Sequence, residues 1–350
     1  MKKIILITSG RTGSDFFQSL LDGHDQILSL PGVFYFDEFL KVKTDFALNF
    51  TKIYEKFFDS RSNTYERHHQ LGLNKNEFYR VSKEDFIKHY NDLTHLDEKV
   101  TEKLLERIHF AYAKAKGEDI SKKKLLFLHL HHIYRIKQTH LKNFDIFYTF
   151  RDPLANLSSA FKNWNKYKNG IFFSFNELKN YYIRIVNGLN FLEKFKKNIY
   201  IVKLENLHLQ SRKLIKNFCQ IYNIDEKPSL YMATFFNKKW WGDEVSEKYL
   251  DGINNNFKNN IDLSFFFQKD IYYIEFLMNN LMTTLNYKTT SKKNYLSFFF
   301  IFPTKMELLL LNKKIFEGKI FAIFGFIINW IGRVNNLGFK KKIYKPVKIL

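Results

Sequence analysis

The stretch that decides the fold lies at the start of the chain and reads Ile4-Ile5-Leu6-Ile7-Thr8-Ser9-Gly10-Arg11-Thr12-Gly13-Ser14. Four consecutive aliphatic residues before a glycine-containing turn are typical of a short, fully buried strand, which we predict over residues 4–8. In residues 15–21 the apolar side chains recur at helical spacing. The chain is therefore predicted to open with a strand, a loop and a helix.

The loop between this strand and this helix has the composition of a phosphate-binding site. Its glycines allow a tight turn in which successive N–H groups face an anion, and the helix N-terminus adds partial positive charge. Hydroxyl groups and a guanidinium supply further donors. The residues predicted to hold the anion are Ser9, Gly10, Arg11, Thr12, Gly13 and Ser14. An ordinary strand-to-helix turn is the alternative interpretation.

Later segments repeat the alternation of buried strand and helix. Apolar runs at residues 125–130, 146–150 and 199–204 predict strands, and residues 175–197 carry a helical pattern. Short apolar strands separated by helices indicate a parallel sheet. We therefore predict an α/β fold with a central parallel sheet flanked by helices. Residues 40–120, which are charged, aromatic and helix-like, are predicted to form an insertion.

The loop at residues 9–14 resembles that of a known enzyme family. It is not a Walker A loop, because no Lys-[ST] pair follows its second glycine, and this argues against ATP hydrolysis. It resembles instead the 5′-phosphosulfate loop of sulfotransferases that use 3′-phosphoadenosine 5′-phosphosulfate (PAPS), in the S-G-R-[ST]-G-[ST] form of carbohydrate sulfotransferases and bacterial relatives. The resemblance implies their P-loop-like fold. Asp15 departs from the pattern, since a hydroxyl residue is more common there.

A second motif resembles the 3′-phosphate site of the same family, an Arg followed by a Ser eight residues later. Arg151 ends a predicted strand, and Asp152 and Pro153 are predicted as the N-cap and first turn of the next helix. Ser159 has the family's spacing, and the adjacent Ser158 is the alternative. Arg and Ser can grip the phosphate that distinguishes PAPS from ordinary adenine nucleotides. A capped helix with a surface arginine is the alternative interpretation.

Two weaker resemblances follow in the family's order along the chain. Residues 201–207 look like the strand that ends in an acidic residue before a helix. Residues 238–243, with Lys238 and Lys239 before two tryptophans and a glycine, are similar to the basic loop that closes over the nucleotide. We therefore predict that Lys238 and Lys239 bind the donor.

The resemblance implies in-line transfer of a sulfuryl group from PAPS to an acceptor hydroxyl, with release of adenosine 3′,5′-bisphosphate and no metal. In such a reaction the protein mainly positions the reactants and stabilises developing charge. Arg11 is expected to neutralise the charge on the bridging oxygen and the leaving phosphate. Residues 12–14 are expected to hold the phosphosulfate group.

The general base has two groups of candidates. In some relatives it is a carboxylate downstream of the first loop, which indicates Glu38 or Asp37 here. In others it is a histidine on the strand before the 3′-phosphate site, which indicates His129, His131 or His132. Strand alternation places His129 and His131 on one face. We favour Glu38 as the base. The alternative is one of the histidines, of which we name His131.

Composition limits the partners and the compartment. The 350 residues contain 56 Lys and Arg against 35 Asp and Glu, a net charge of +21, so an anionic ligand or surface is expected. The single cysteine, Cys219, excludes an internal disulfide and a thiolate zinc cluster. A reducing cytoplasm is therefore predicted.

The last 60 residues carry close to half of the net charge. Residues 291–350 contain twelve Lys and Arg against two Glu, a net +10. Their apolar runs are separated from one another by lysines and fall short of the roughly 18–20 residues that span a bilayer. We predict a sulfotransferase domain at 1–290, with 40–120 on the acceptor side, and an extension at 291–350 on an anionic membrane surface at the inner face of the cytoplasmic membrane. A small helical subdomain with solvated lysines is the alternative.

The function favoured by the sequence is a bacterial PAPS-dependent sulfotransferase acting on a hydroxyl of a sugar or glycolipid. A divergent P-loop kinase is a second reading, disfavoured by the missing Lys-[ST] pair. A basic membrane- or RNA-binding protein on the same scaffold is a third. No RNA-binding signature is found, so no nucleic-acid partner is expected.

Overall fold

The structure is a computed structural model. It describes residues 1–30, 32–42, 54, 71–96, 101–131, 142–166, 174–192, 199–242, 251–289, 301–337 and 348–350. Its strands, β1 to β8 in chain order, are Lys2–Thr8, Ile27–Ser29, Leu125–Leu130, Asp145–Phe150, Ile199–Lys203, Thr234–Phe235, Lys238–Lys239 and Lys348–Ile349. Its helices, α1 to α11, are Ser14–Leu21, Phe36–Val42, Lys83–Asp92, Thr101–Ala115, Pro153–Lys166, Phe175–Leu192, Leu204–Leu209, Ser211–Tyr222, Gln268–Thr284, Lys305–Phe316 and Ala322–Leu337.

Six of these strands form one parallel sheet in the order β2-β3-β1-β4-β5-β8. The predicted α/β fold with a central parallel sheet flanked by helices is confirmed. The strand at Leu125–Leu130 has the predicted bounds, and β1 begins two residues before the predicted start. The sequence did not indicate β2 and β8, because segments of three and two residues are too short for a periodic pattern.

The centre of the sheet is the core of the molecule. Ile4, Ile5, Leu6 and Ile7 are at most 1% exposed, which is why β1 reads as an uninterrupted aliphatic run. β1 pairs with β4 so that Thr8 lies opposite Thr149. Because parallel strands end at the same edge, the loops that follow β1 and β4 lie next to each other.

The helix after β4 begins as predicted. The Asp152 carboxylate accepts the Ala155 N–H at 2.9 Å, and Pro153 is the first helical residue. The predicted N-cap is therefore confirmed. The predicted helix at 175–197 corresponds to α6, and residues 193–198 lie outside the described part of the chain.

Two helices of the insertion are described, α3 and α4, which agree with the helical character predicted for residues 40–120. Near the C-terminus, α10 and α11 pack on each other and α11 packs on α6, while β8 pairs with β5 at the edge of the central sheet. Among the described residues, no helix is long and apolar enough to cross a membrane. The division of the chain at residue 290 stays a prediction.

Candidate functional site

The loop after β1 adopts a backbone shape suited to an anion. Gly10, Arg11 and Gly13 have φ angles of 95°, 56° and 80°, all in the left-handed region. Residues in this conformation turn neighbouring N–H groups toward a common point, the arrangement that forms anion-binding concavities. Arg11 is not a glycine, so its left-handed backbone is strained and must be held by its surroundings. The N-terminus of α1 adds partial positive charge to the same loop.

Thr12 ties this loop to the sheet. Its side chain is 1% exposed, and its Oγ1 lies 2.6 Å from Thr8 Oγ1 and 2.8 Å from Thr149 Oγ1. The sequence predicted the Thr12 hydroxyl as a donor to the anion, whereas the structure places it in this internal network. What Thr12 offers to an anion is then its backbone N–H. The hydroxyls join β1, the loop and β4 into one rigid unit.

The carbonyl of Gly10 is held by a hydrogen bond from a side chain of α5. Asn156 Nδ2 donates to this oxygen at 2.8 Å, and the Tyr181 hydroxyl donates to Asn156 Oδ1 at 2.6 Å. The sequence did not indicate either residue, because Tyr181 reads as a core position of an amphipathic helix. The only local signal is a polar Asn156 within the buried first turns of α5.

Three arginines act on the buried Tyr181. Burial raises the pKa of its hydroxyl, and the positive charges of Arg184, Arg11 and Arg151 oppose that rise, in this order of strength. The Arg184 guanidinium lies 5.2 Å from the centre of the Tyr181 ring. Arg11 and Arg151, predicted from separate motifs, are thus brought to one place, and Arg184 is a third cation that sequence reasoning missed.

Arg151 lies at the end of β4 in a network of polar side chains. Its Nε donates to Asn259 Oδ1 at 3.0 Å, and Asn259 Nδ2 donates to Glu205 Oε1 at 2.5 Å. Burial lowers the pKa of Arg151; the Glu205 carboxylate opposes this effect, and the Arg11 charge adds to it. Positive charge from Arg11 acting on the buried Arg151 marks a region that an anion would stabilise.

The two serines of the second motif differ in their surroundings. Ser158 is buried, and its Oγ accepts the Asp262 N–H at 2.8 Å. Ser159 is partly exposed, and its Oγ accepts a 3.3 Å hydrogen bond from Asn163. The structure therefore favours Ser159 over Ser158 as the serine accessible to a ligand.

The segment 251–262 lies next to Arg151 and packs on α7. Phe257 lies 5.9 Å from the Arg151 guanidinium and stacks on His208, which in turn stacks on Phe16 of α1, with 4.5 Å between ring centres in both pairs. Asn259 and Phe257 are site residues that the sequence did not identify, because a loop rich in Asn and Lys has no pattern that shows its partner.

Lys238 and Lys239, predicted to lie on a loop, lie on a short strand instead. They form β7 of the small β6–β7 hairpin, where Lys238 pairs with Glu77 and Lys239 pairs with Asp251 at 2.6 Å. Trp240 is buried in the core. Donor binding by these two lysines stays a prediction and would require them to exchange their present carboxylate partners.

The candidate bases occupy different positions. His129 is buried, with its Nδ1 3.3 Å from Asp15 Oδ1 and 3.2 Å from Gln18 Oε1, and the His131 ring centre lies 5.0 Å from that of His129. Asp15 belongs to the first turn of α1, so this pair of histidines borders the loop at residues 9–14. Glu38 lies on α2, within a segment joined to β3 by the bond from the Phe34 N–H to the His129 carbonyl.

For two further candidate bases, His132 and Asp37, the general-base role stays a prediction. His132 lies outside the described residues, and nothing is described of the Asp37 side chain.

Asp15, His129 and His131 each place one ligand atom within 4.8 Å of the others and could hold a cation. The predicted absence of a metal therefore stays a prediction.

The sequence matches no protein-family model and no curated protein. Among solved structures, the chain is similar to a sulfotransferase domain from the curacin biosynthetic pathway (16% identity, 83% of this chain and 99% of that chain, TM-score 0.40). It is also similar to a sulfotransferase from Mycobacterium avium (9% identity, 83% and 78%, TM-score 0.42) and to a retinol dehydratase solved with androsterone and the inactive cofactor PAP (13% identity, 83% of each chain, TM-score 0.28). These likenesses are too distant to carry an argument about function, which rests on the site itself.

Proposed function

We propose that this protein is a PAPS-dependent sulfotransferase that transfers a sulfuryl group to a hydroxyl of a carbohydrate or glycolipid. The observation that carries the proposal is the convergence of the left-handed loop of Gly10, Arg11 and Gly13 with Arg151 at the ends of the neighbouring strands β1 and β4. A ligand that binds both places must carry two anionic groups. PAPS carries a 5′-phosphosulfate and a 3′-phosphate.

The residues present fit this donor. The N–H groups of residues 11–14 and the Arg11 guanidinium would hold the phosphosulfate, while Arg151 and Ser159 would hold the 3′-phosphate. Ser9 and Ser14 stay candidate hydroxyl donors to the phosphosulfate. The hydrogen bond from Arg151 to Asn259 holds the guanidinium in position before a ligand binds. Arg184 adds a further positive charge next to Tyr181.

In the reaction the acceptor oxygen forms a bond to sulfur as the bond from sulfur to the bridging oxygen breaks. The electron pair of the broken bond stays on the 5′-phosphate of adenosine 3′,5′-bisphosphate, and the acceptor proton passes to a base. Arg11 and the loop N–H groups would stabilise the negative charge that gathers on the leaving oxygen.

For the base, the contacts favour His131 over Glu38. His131 is partly exposed and lies against His129, whose ring is hydrogen-bonded to Gln18 and lies beside the Asp15 carboxylate, both on α1. The Asp15 carboxylate that departs from the family pattern would then serve to position a histidine. His131→Asn should abolish transfer while donor binding persists; Glu38→Gln should retain transfer. The reverse result would restore Glu38 as the base.

The test of the proposed function is titration calorimetry with adenosine 3′,5′-bisphosphate, 5′-AMP and ATP. We expect a preference for the bisphosphate that Arg151→Ala weakens by about 10–100-fold, since a charge-assisted hydrogen bond contributes about 1.5–3 kcal/mol. Arg212→Ala, which removes an exposed arginine of α8, is the matched control and should bind as the parent does.

Transfer itself is measured with radiolabelled PAPS and a cell extract rich in sugars and glycolipids, with and without a chelator. Arg11→Ala should eliminate labelled product, and the chelator should have no effect. Equal affinity for 5′-AMP and the bisphosphate would contradict the 3′-phosphate site. Magnesium-dependent ATP turnover would instead support a kinase, and salt-sensitive RNA binding without bisphosphate affinity would support a scaffold protein.

A further inference from the structure

A large apolar surface lies at the C-terminal hairpin, which we define as α10, the turn at 317–321 and α11. Its apolar tip consists of exposed side chains at the turn and along one face of α11: Phe316, Ile320, Phe321, Phe324, Ile328 and Ile331. Phe316 is 93% exposed and Phe321 is 85% exposed. Contiguous exposed apolar patches of this kind mark interaction surfaces rather than ordinary solvated protein surface.

The opposite face of α11 is already occupied by the protein. Phe326 packs against Phe175 of α6 with ring centres 5.9 Å apart, and Arg333, with 0% exposure, binds Glu307 of α10 through Nε at 2.6 Å. The hairpin is therefore fixed to the core by one face, and its apolar tip faces away from it. A rigid support is what an insertion surface requires, because little conformational freedom is lost on binding.

The charge around the tip is positive. Lys313, Lys314 and Lys319 border it against the single acid Glu317, which lies 3.3 Å from Lys314 and 3.0 Å from Lys319. From residue 320 to residue 332 the sequence has no charged side chain. An apolar face bordered by lysines has the chemistry of a segment that lies in the interface of an anionic bilayer.

We propose that the apolar tip inserts into the headgroup and acyl boundary of an anionic lipid bilayer, with the bordering lysines bound to lipid phosphates. The hairpin lies on the membrane and does not cross it. A second copy of the chain fits this surface less well, because a two-fold contact would bring the lysines of the two copies together. The proposal stands independently of the sulfotransferase assignment, since it uses none of the donor-site residues.

The test is flotation of the full chain with vesicles of phosphatidylcholine alone and of phosphatidylcholine with about 30% phosphatidylglycerol. We expect binding to the anionic vesicles that weakens at about 0.5 M salt. The triple variant Phe321→Ser/Phe324→Ser/Ile328→Ser should reduce binding by about 100-fold, because it removes three large exposed apolar side chains of the tip. Its thermal unfolding should match that of the parent, since the three side chains are exposed.

The matched control is Leu73→Ser/Met232→Ser, which removes two side chains of 76% and 58% exposure outside the hairpin. It should bind vesicles as the parent does. Loss of binding in this control, or equal binding by the triple variant, would overturn the proposal. So would a dimer in solution that the triple variant dissociates, if the parent fails to float with anionic vesicles.

Discussion

Single residues define the shape of the loop at residues 9–14, and Gly13 is the clearest case. Its φ angle is 80°, and a Cβ added there would lie 2.4 Å from Leu204 Cδ1. Two independent constraints, a left-handed backbone and the approach of α7, therefore select glycine. Loop shape and packing of the core are coupled at this position.

This coupling gives a prediction with a matched control. Gly117 has a φ angle of 83° but nothing within 4 Å of its added Cβ. Gly117→Ala should cost about 1 kcal/mol in the free energy of unfolding, from the left-handed backbone alone. Gly13→Ala should cost about 1–3 kcal/mol more, because of the clash. Urea denaturation measures both, and equal losses would show that Leu204 yields freely.

At the scale of elements, the site is held together by the stack of Phe16, His208 and Phe257. The stack joins α1, α7 and the segment 251–262, which also delivers Asn259 to Arg151. Burial and, to a smaller extent, the Arg151 charge lower the pKa of His208 to about 4, and the Glu205 carboxylate opposes them. The imidazole is therefore neutral at neutral pH and accepts the Asn254 N–H at 3.1 Å.

Acid should loosen this stack. An unfolded chain takes up the His208 proton near its ordinary pKa of 6.5, whereas the folded chain does so near 4. Stability due to this group is complete above about pH 6.5 and falls as the pH drops, by about 2 kcal/mol at pH 5. His208→Phe keeps an aromatic ring in the stack and should reduce this slope in urea titrations across the pH range.

Burial also lowers the pKa of His109 to about 4. His109 therefore adds its own dependence of stability on pH, and this dependence remains in His208→Phe. The same substitution at the exposed His95 is the control and should leave the slope of the parent intact. A parent-like slope in His208→Phe would show that the imidazole is protonated within the folded stack.

At the scale of the whole molecule, the chain returns to its own sheet at the C-terminus. β8 pairs with β5, and the Leu350 N–H donates to the Ile201 carbonyl at 3.0 Å. Leu350 is 7% exposed, whereas Ile349, which points to the other face, is 45% exposed. The end of a strongly basic segment is thus part of the central fold.

The neighbouring residues Leu350 and Ile349 allow a direct comparison. Leu350→Ser should lower the free energy of unfolding by about 2–3 kcal/mol, because a buried side chain is lost. Ile349→Ser should change it by less than about 0.5 kcal/mol, as surface substitutions do. Thermal denaturation of the full chain measures both. Equal effects would show that Leu350 makes no stabilising buried contact at the sheet edge.

The sequence by itself determined the parallel α/β core, the glycine-containing loop at residues 9–14 and the capped helix after Arg151. These features depend on local patterns: aliphatic runs, glycines where the backbone turns left-handed, and an Asp-Pro pair at a helix start. Only the tertiary structure decided that Thr12 binds Thr149, 137 positions away, that Asn259 binds Arg151, 108 positions away, and that Lys238 pairs with Glu77. Such contacts join segments whose composition carries no record of their partner, and packing of the sheet and helices brings them together.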